Sequence, residues 1–282
     1  MNELVSRAVV EAAFHDQQEL VVDMLLNCRD LSTLNALGKV LQRRPGMAYD
    51  QASLRSRVRR RIDQAFAAAG YSEVDRASGP VVLEIGCGRA ENALYVQERG
   101  AKQYIGIDPD TSLVPNAQKL EPGIEVVRGT AESLPFSSDS IDFAISFNVL
   151  EHVLDPQAVL HEIARVLRPG GRFFTVFGPP FNAATGPHLT RFIDLPYIQH
   201  LFSESVVGEF TRRANPYYTV NKRPLSYYRD IFMFESGLET TLYREHITGG
   251  GFWLLKAKDQ LKIDLPWDEL GVSAITTLST KK

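Results

Sequence analysis

Cysteine is almost missing from this chain. Only Cys28 and Cys87 occur among 282 residues, which excludes a disulfide framework. Two cysteines so far apart also cannot build a thiolate metal centre, and no His/Asp/Glu spacing points to a metal site; none is expected. No apolar run approaches the ~18 residues of a bilayer-spanning helix. The N-terminal stretch MNELVSRAVVEAAFHDQQ carries Glu3 and Glu11 and lacks the basic start and apolar core of a signal peptide. A cytoplasmic location without membrane attachment is therefore expected, in a reducing compartment. Neither sign of charge dominates: 31 Lys+Arg against 34 Asp+Glu leave a net charge of −3, so overall charge provides no attraction to nucleic acid. Internal repeats and low-complexity tracts are absent. What remains is a composition of 44% hydrophobic and 23% charged residues, that of a globular protein, in a chain long enough for one large domain or two small ones.

The first 70 residues read as helical. Asp16 followed by Glu19 resembles a capping box, with Leu20, Val21, Met24 and Leu25 at helical spacing behind it. Leu34, Leu37, Val40 and Leu41 repeat the pattern, Pro45-Gly46 breaks it, and Leu54, Val58, Ile62 and Phe66 form a third stripe that Gly70 can end. From residue 80 short apolar runs alternate with helical stretches. Strands are expected at Val81–Ile85, Gln103–Ile107, Ile124–Val127, Ile141–Phe147 and Arg172–Phe177, with helices at Asn92–Arg99, Asp110–Leu120 and from Asp155-Pro156 to Leu167. Asp155 is the N-cap there and Pro156 the first-turn proline. Such alternation with near-continuous apolar strands argues for a parallel sheet covered on both faces. After Phe177 the alternation stops. Leu238–Tyr243 and Val272–Leu278 are plausible final strands, and Phe252–Ile263 reads equally as strand or helix.

Chemistry concentrates at the strand ends. Glu84-Ile85-Gly86-Cys87-Gly88-Arg89-Ala90-Glu91-Asn92 closes the first strand. Two glycines one residue apart allow a sharp turn and close approach of a ligand to the backbone, ahead of a helix with unpaired N–H groups. A pyrophosphate could sit there, but the carboxylate of Glu84 repels phosphate and attracts an ammonium group. A strand–turn–helix with no ligand is the plainer reading. Asp108, 20 positions after Gly88, ends the second strand, where a carboxylate can accept two ribose hydroxyls or simply cap the next helix. Gly129-Thr130-Ala131-Glu132-Ser133-Leu134-Pro135-Phe136 follows the third strand, Asn148-Val149-Leu150-Glu151-His152-Val153 the fourth, and Leu167-Arg168-Pro169-Gly170-Gly171 leads into the fifth.

These five ordered blocks resemble the class I S-adenosylmethionine-dependent methyltransferases, in their small-molecule branch, over roughly residues 80–178 and more weakly beyond. The resemblance implies an α/β, Rossmann-like, doubly wound seven-stranded sheet with the last strand antiparallel; the chain is then expected to divide into N-terminal helices at 1–75 as a cap and a methyltransferase domain at 76–282 with a helical lid or substrate insertion at about 181–235. It implies S-adenosylmethionine as cofactor, held by Glu84, Gly86, Cys87 and Gly88 at the methionine part, Asp108 at the ribose, Pro109 beside the adenine, Ala131 and Glu132 along the adenine edge, and Asn148 closing the pocket. Two departures stand out: Ala90 replaces a frequent third glycine, and Thr130 stands where an aspartate often accepts from the adenine amino group.

Of the six histidines, His152 follows the fourth strand, and His188 lies in the variable region after the fifth, where loops carry function on a rigid scaffold. Both are candidate catalytic groups, with packing as the alternative. Arg55, Arg57, Arg59, Arg60 and Arg61 form a run that is either a solvated helix face or the source of one guanidinium for a carboxylate. The aromatic-rich stretch 181–235 reads as a lid, a helical core or a dimer surface. The expected activity is O-methylation of a small molecule, with N-methylation, an RNA or protein acceptor, a nicotinamide-dependent dehydrogenase (disfavoured by Glu84 and by the Leu-Pro-Phe and Glu-His blocks) or a non-catalytic cofactor-binding partner as rivals. The expected partner is a small-molecule substrate; no nucleic acid is expected, and a homodimer stays open.

Overall fold

The computed structural model describes residues 18–27, 30–41, 51–71, 75–113, 121–249 and 251–282. The capping box at Asp16, the break at Pro45-Gly46 and most of the helix expected after Asp110 lie outside them. No helix among the described residues is long and apolar enough to cross a membrane. The chain forms two compact units, one of Met1–Met47, Pro179–Lys222 and Ile247–Ser273, the other of Ala48–Gly178, Arg223–His246 and Ala274–Lys282.

The second unit is built on a seven-stranded sheet of β1 (Val81–Ile85), β2 (Gln103–Asp108), β3 (Ile124–Arg128), β4 (Ile141–Phe147), β5 (Leu167–Phe177), β6 (Glu239–Ile247) and β7 (Val272–Thr280). Their order is β3-β2-β1-β4-β5-β7-β6. β1 to β5 run parallel and β7 is antiparallel to β5. The order reverses between β1 and β4, the topological switch point at which open α/β sheets bind ligands beyond the carboxyl ends of their strands.

Every residue of β4 is buried. Phe143, Ile145 and Phe147 share one core with Ile62 and Phe66 of α3 (Gln51–Ala68), whose apolar stripe meets the sheet with the Phe66 and Phe143 rings edge to face at 5.5 Å. α5 (Pro156–Val166) starts as expected: Asp155 accepts from the Ala158 amide at 3.1 Å, with Pro156 in the first turn.

The fifth strand starts earlier than the pattern predicts. Pro169-Gly170-Gly171 is not a turn ahead of the strand but an irregularity inside it, where the β4–β5 register jumps from Ile141↔Leu167 to Phe143↔Arg172. The Gly170 amide donates to Lys281 O (2.8 Å) and the Lys281 amide to Gly171 O (2.9 Å), so the end of the chain pairs with the bulge. β6 and β7 both run beyond the expected limits. The ambiguous stretch from Phe252 begins as a short helix, Phe252–Leu255.

The first unit is helical. Val21, Leu25, Leu34, Tyr197, Leu254 and Leu270 belong to its core. Asn35 joins two of its segments: its Nδ2 donates to Phe192 O (3.1 Å) and its Oδ1 accepts from the Asp194 amide (2.7 Å). Tyr197 OH donates to Leu270 O at 3.2 Å, linking the third. The units are thus discontinuous in sequence. α3 groups with the sheet rather than with the earlier helices, as does the helix Leu225–Asp230, whose Tyr228 lies 4.9 Å from the Phe177 ring.

Candidate functional site

The glycine turn is shaped by what its backbone must do. Gly86 has φ 69°, and a Cβ on it would lie 2.3 Å from Val149 Cγ2, so only glycine fits there. The amides of Gly86 and Cys87 both donate to Ile107 O, at 2.8 and 3.1 Å, fastening the turn to the tip of β2. Gly88, at φ 51°, faces open space. Its amide donates to Asp108 Oδ2 at 2.9 Å, while Asp108 Oδ1 accepts from the Asp110 amide at 2.9 Å. Asp108 thus bonds the chain two residues on and also faces the glycine turn.

A cavity of ≈ 380 Å³ lies beside this turn at the carboxyl ends of the strands. Gly86, Asp108, Pro109, Ala131, Glu132, Asn148 and His152 all line it. Thr130 lines it as well, and Ile107, Val149, Val153 and Leu154 supply apolar wall. Asn148 adopts φ 56°, a left-handed conformation that asparagine tolerates, and its amide donates to Val176 O of β5 at 2.8 Å.

Three residues expected around the methionine part, all on or just before the turn, stand apart from that wall. The Glu84 side chain is buried, with Oε1 accepting from Asn92 Nδ2 and Oε2 from Tyr104 OH (2.5 Å). Burial pushes its pKa up to about 7 against the pull of those two hydrogen bonds. The Cys87 thiol points into the core, where a Cβ on Gly106 would meet its Sγ at 2.7 Å, and burial raises its pKa to about 12. Gly88 takes part through its amide alone.

Sequence reasoning missed the partners of Glu84. Asn92 reads as a helix start and Tyr104 as strand core; neither announces a hydrogen bond to a carboxylate. Arg61, one of five arginines in a run, separates from the others only in three dimensions. Its Nη2 donates to Asn92 Oδ1 at 2.9 Å, its Cζ lies 4.8 Å over the Phe147 ring, and its Nε is buried without a hydrogen-bond partner among the described residues. Desolvation lowers its pKa, with Glu84 pulling the other way. Glu151 was also passed over. It is fully buried, accepts from the Gly178 amide at 3.0 Å, and is raised by burial to about 7.

His188 belongs to the other unit. It sits at φ 57° with Nε2 3.3 Å from Pro179 O. His161 is structural: its Nε2 is 2.7 Å from Glu235 O. His200 has its pKa lowered by burial.

A seven-stranded sheet with a glycine turn, an acidic β2 tip and a cavity at the switch point is the architecture of a Rossmann-like α/β protein. Comparison with known proteins narrows this. The methyltransferase domain pattern matches residues 83–175. An uncharacterized methyltransferase of Bacillus subtilis, YcgJ, is 32% identical over 180 residues, covering 59% of this chain and 69% of that one. A protein of Mycolicibacterium smegmatis named as a probable S-adenosylmethionine-dependent methyltransferase is 33% identical over 122 residues, 41% of this chain; the match spans only about half, 47%, of that relative's length. An S-adenosylmethionine-dependent methyltransferase from Mesorhizobium loti shares the fold, with a TM-score of 0.50 over 78% of this chain and 98% of that chain at 17% identity. The chain belongs to the class I S-adenosylmethionine-dependent methyltransferase family, and S-adenosylmethionine is the cofactor of that family.

Proposed function

We propose that this protein transfers a methyl group from S-adenosylmethionine to a small-molecule acceptor, with a hydroxyl oxygen as the first choice of nucleophile and an amine as the second. The observation that carries the reading is the convergence of Gly86, Asp108, Ala131–Glu132 and Asn148, from four separate strand ends, on one cavity. The residues fit the cofactor chemically. Each carboxylate oxygen of Asp108 accepts one backbone N–H, from Gly88 or Asp110, and keeps a lone pair for a ribose hydroxyl. Pro109 and Ala131 are apolar surface for a base, with the Thr130 hydroxyl or a backbone carbonyl for its amino group. The Gly86–Gly88 backbone accommodates the amino-acid part. The Nε of Arg61, buried without a partner among the described residues, is a proposed donor for a carboxylate.

When bound, the cofactor supplies a methyl already activated by its sulfonium. The protein's share is alignment of the nucleophile with the methyl carbon and exclusion of water, together with a base if the acceptor is a hydroxyl. His152, in the cavity wall, and His188 are the proposed bases, and the aromatic-rich segment 181–235 is the proposed carrier of acceptor specificity. Calorimetric titration with S-adenosylmethionine, S-adenosylhomocysteine and NAD tests the reading; tighter binding of NAD overturns it. A panel of phenols, carboxylic acids and amines with radiolabelled methyl donor then separates O- from N-methylation. Cofactor binding with no transfer to any acceptor favours a non-catalytic binding partner.

A further inference from the structure

The segment 129–140 forms the wall of the cavity at Thr130, Ala131 and Glu132, yet it contains neither helix nor strand beyond a single Thr130–Ser133 bridge. Its backbone groups need partners from elsewhere, and two side chains of α5 supply them. Glu162 Oε2 accepts from the Leu134 amide at 2.7 Å. Arg165 donates from Nη2 to Leu134 O (2.9 Å) and from Nη1 to Phe136 O (2.7 Å). The two side chains lock each other, with Arg165 Nε on Glu162 Oε1 at 2.7 Å and Nη2 on Oε2 at 2.8 Å. The main chain of Arg165 takes part as well: its carbonyl accepts from the Asp139 amide at 3.2 Å. One residue thus holds the segment at 134, 136 and 139. On the cavity side, Glu132 Oε1 accepts from the Leu154 amide at 3.3 Å, tying the same wall to the loop before α5.

We propose that Glu162 and Arg165 are positioning residues that set the nucleobase selectivity of the cofactor site, by fixing the backbone that carries Thr130, Ala131 and Glu132. The inference rests on the methyltransferase reading above. Its physical basis is that Thr130 offers the base a hydroxyl and no carboxylate, while the Glu132 carboxylate accepts from the Leu154 amide: discrimination falls to the position of main-chain groups and of that hydroxyl. Main-chain groups discriminate only if they are held. A bidentate guanidinium–carboxylate pair has the planar rigidity to hold them, whereas a lysine in place of Arg165 reaches at most part of the set.

The test is calorimetry with S-adenosylhomocysteine and S-inosylhomocysteine, which differ where the base exchanges its amino group for a carbonyl and the adjacent N1 turns from an acceptor into an N–H donor. The unaltered protein is expected to prefer the adenine compound. Arg165→Ala is expected to lose tenfold or more in affinity for S-adenosylhomocysteine while its affinity for the inosine compound stays within about twofold, so that selectivity collapses. Arg165→Lys is expected to recover part of the selectivity. Glu162→Gln, which keeps an acceptor for the Leu134 amide, is expected to lose less than Arg165→Ala. Arg59→Ala, which removes the exposed ion pair with Glu98, serves as the control and is expected to bind as the unaltered protein does. An unchanged selectivity ratio in Arg165→Ala overturns the proposal, as does an equal loss for both compounds alongside a lowered melting temperature, the mark of a merely structural role. If Arg165→Ala does not fold, the ratios in Arg165→Lys and Glu162→Gln decide in the same way. Failure of the unaltered protein to bind S-adenosylhomocysteine at all is a different result, and overturns the methyltransferase reading itself.

Discussion

The amide of Gly88 donates to Asp108 Oδ2 at 2.9 Å across 20 residues of chain. This bond fixes the tip of β2 against the turn that follows β1, so the two segments of the proposed cofactor site hold each other in place. Asp108→Ala is therefore expected to weaken S-adenosylmethionine binding by tenfold or more, about 1.4 kcal/mol, in a protein that still folds. Asp108→Asn, which keeps one acceptor oxygen, is expected to lose less. Calorimetry on both variants checks this, and undiminished affinity in Asp108→Ala removes Asp108 from the ribose assignment.

Gly86→Val is expected to abolish binding and to destabilise the protein. The residue sits at φ 69° with Val149 Cγ2 only 2.3 Å from where a Cβ would be, and strained backbone of this kind costs of order 1–3 kcal/mol before any clash is counted. Adding Val149→Ala relieves the clash but not the dihedral. The double variant should regain part of the melting temperature and less of the affinity.

The two buried glutamates make a prediction about pH. Glu84 and Glu151 are each raised from an ordinary 4.5 to about 7 by burial. Between those values the folded chain keeps protons that the unfolded chain has released, so unfolding sheds protons and stability falls as pH rises through the window. Each group contributes a loss on the order of 3 kcal/mol at most. Glu151→Gln removes one share: relative to the unaltered protein it should be more stable at pH 8 than at pH 5. Denaturant unfolding at the two pH values checks this, and parallel pH curves for the two proteins count against the assignment.

Histidine substitutions separate chemistry from binding. His188→Ala and His152→Ala are each expected to lower turnover more than cofactor affinity, by up to the 10²–10⁴-fold typical of a lost general base once an acceptor is in hand. Full turnover with weakened cofactor binding would reassign His152 to the cavity wall alone. The same pattern in His188→Ala would leave that residue a role in packing.

Much of the sheet unit was legible because its signals are local. A run such as Ile141–Phe147 is a buried strand wherever it lies in the sheet, a Gly-Cys-Gly step after a strand is a sharp turn, and Asp155-Pro156 starts a helix by its own capping chemistry. The misreadings came where a local signal met a distant partner. Pro169-Gly170-Gly171 reads as a turn, yet pairing with Lys281 keeps it inside β5. The helices before residue 75 look alike in sequence, but α3 groups with the sheet, because Ile62 and Phe66 complete the core of Phe143.

The strand–turn–helix units and the acidic tip at Asp108 are legible along the chain alone, since these follow from periodicity and from what glycine, proline and aspartate do to their own backbone. So is the family, since those units recur in a fixed order. Which polar groups meet is settled only when the chain is folded: Glu84 is taken up by Asn92 and Tyr104, Arg61 donates to Asn92, and Glu162 and Arg165 bond the backbone at Leu134 and Phe136. Side-chain hydrogen bonds between residues tens of positions apart depend on how strands and helices pack, and no spacing along the chain encodes them.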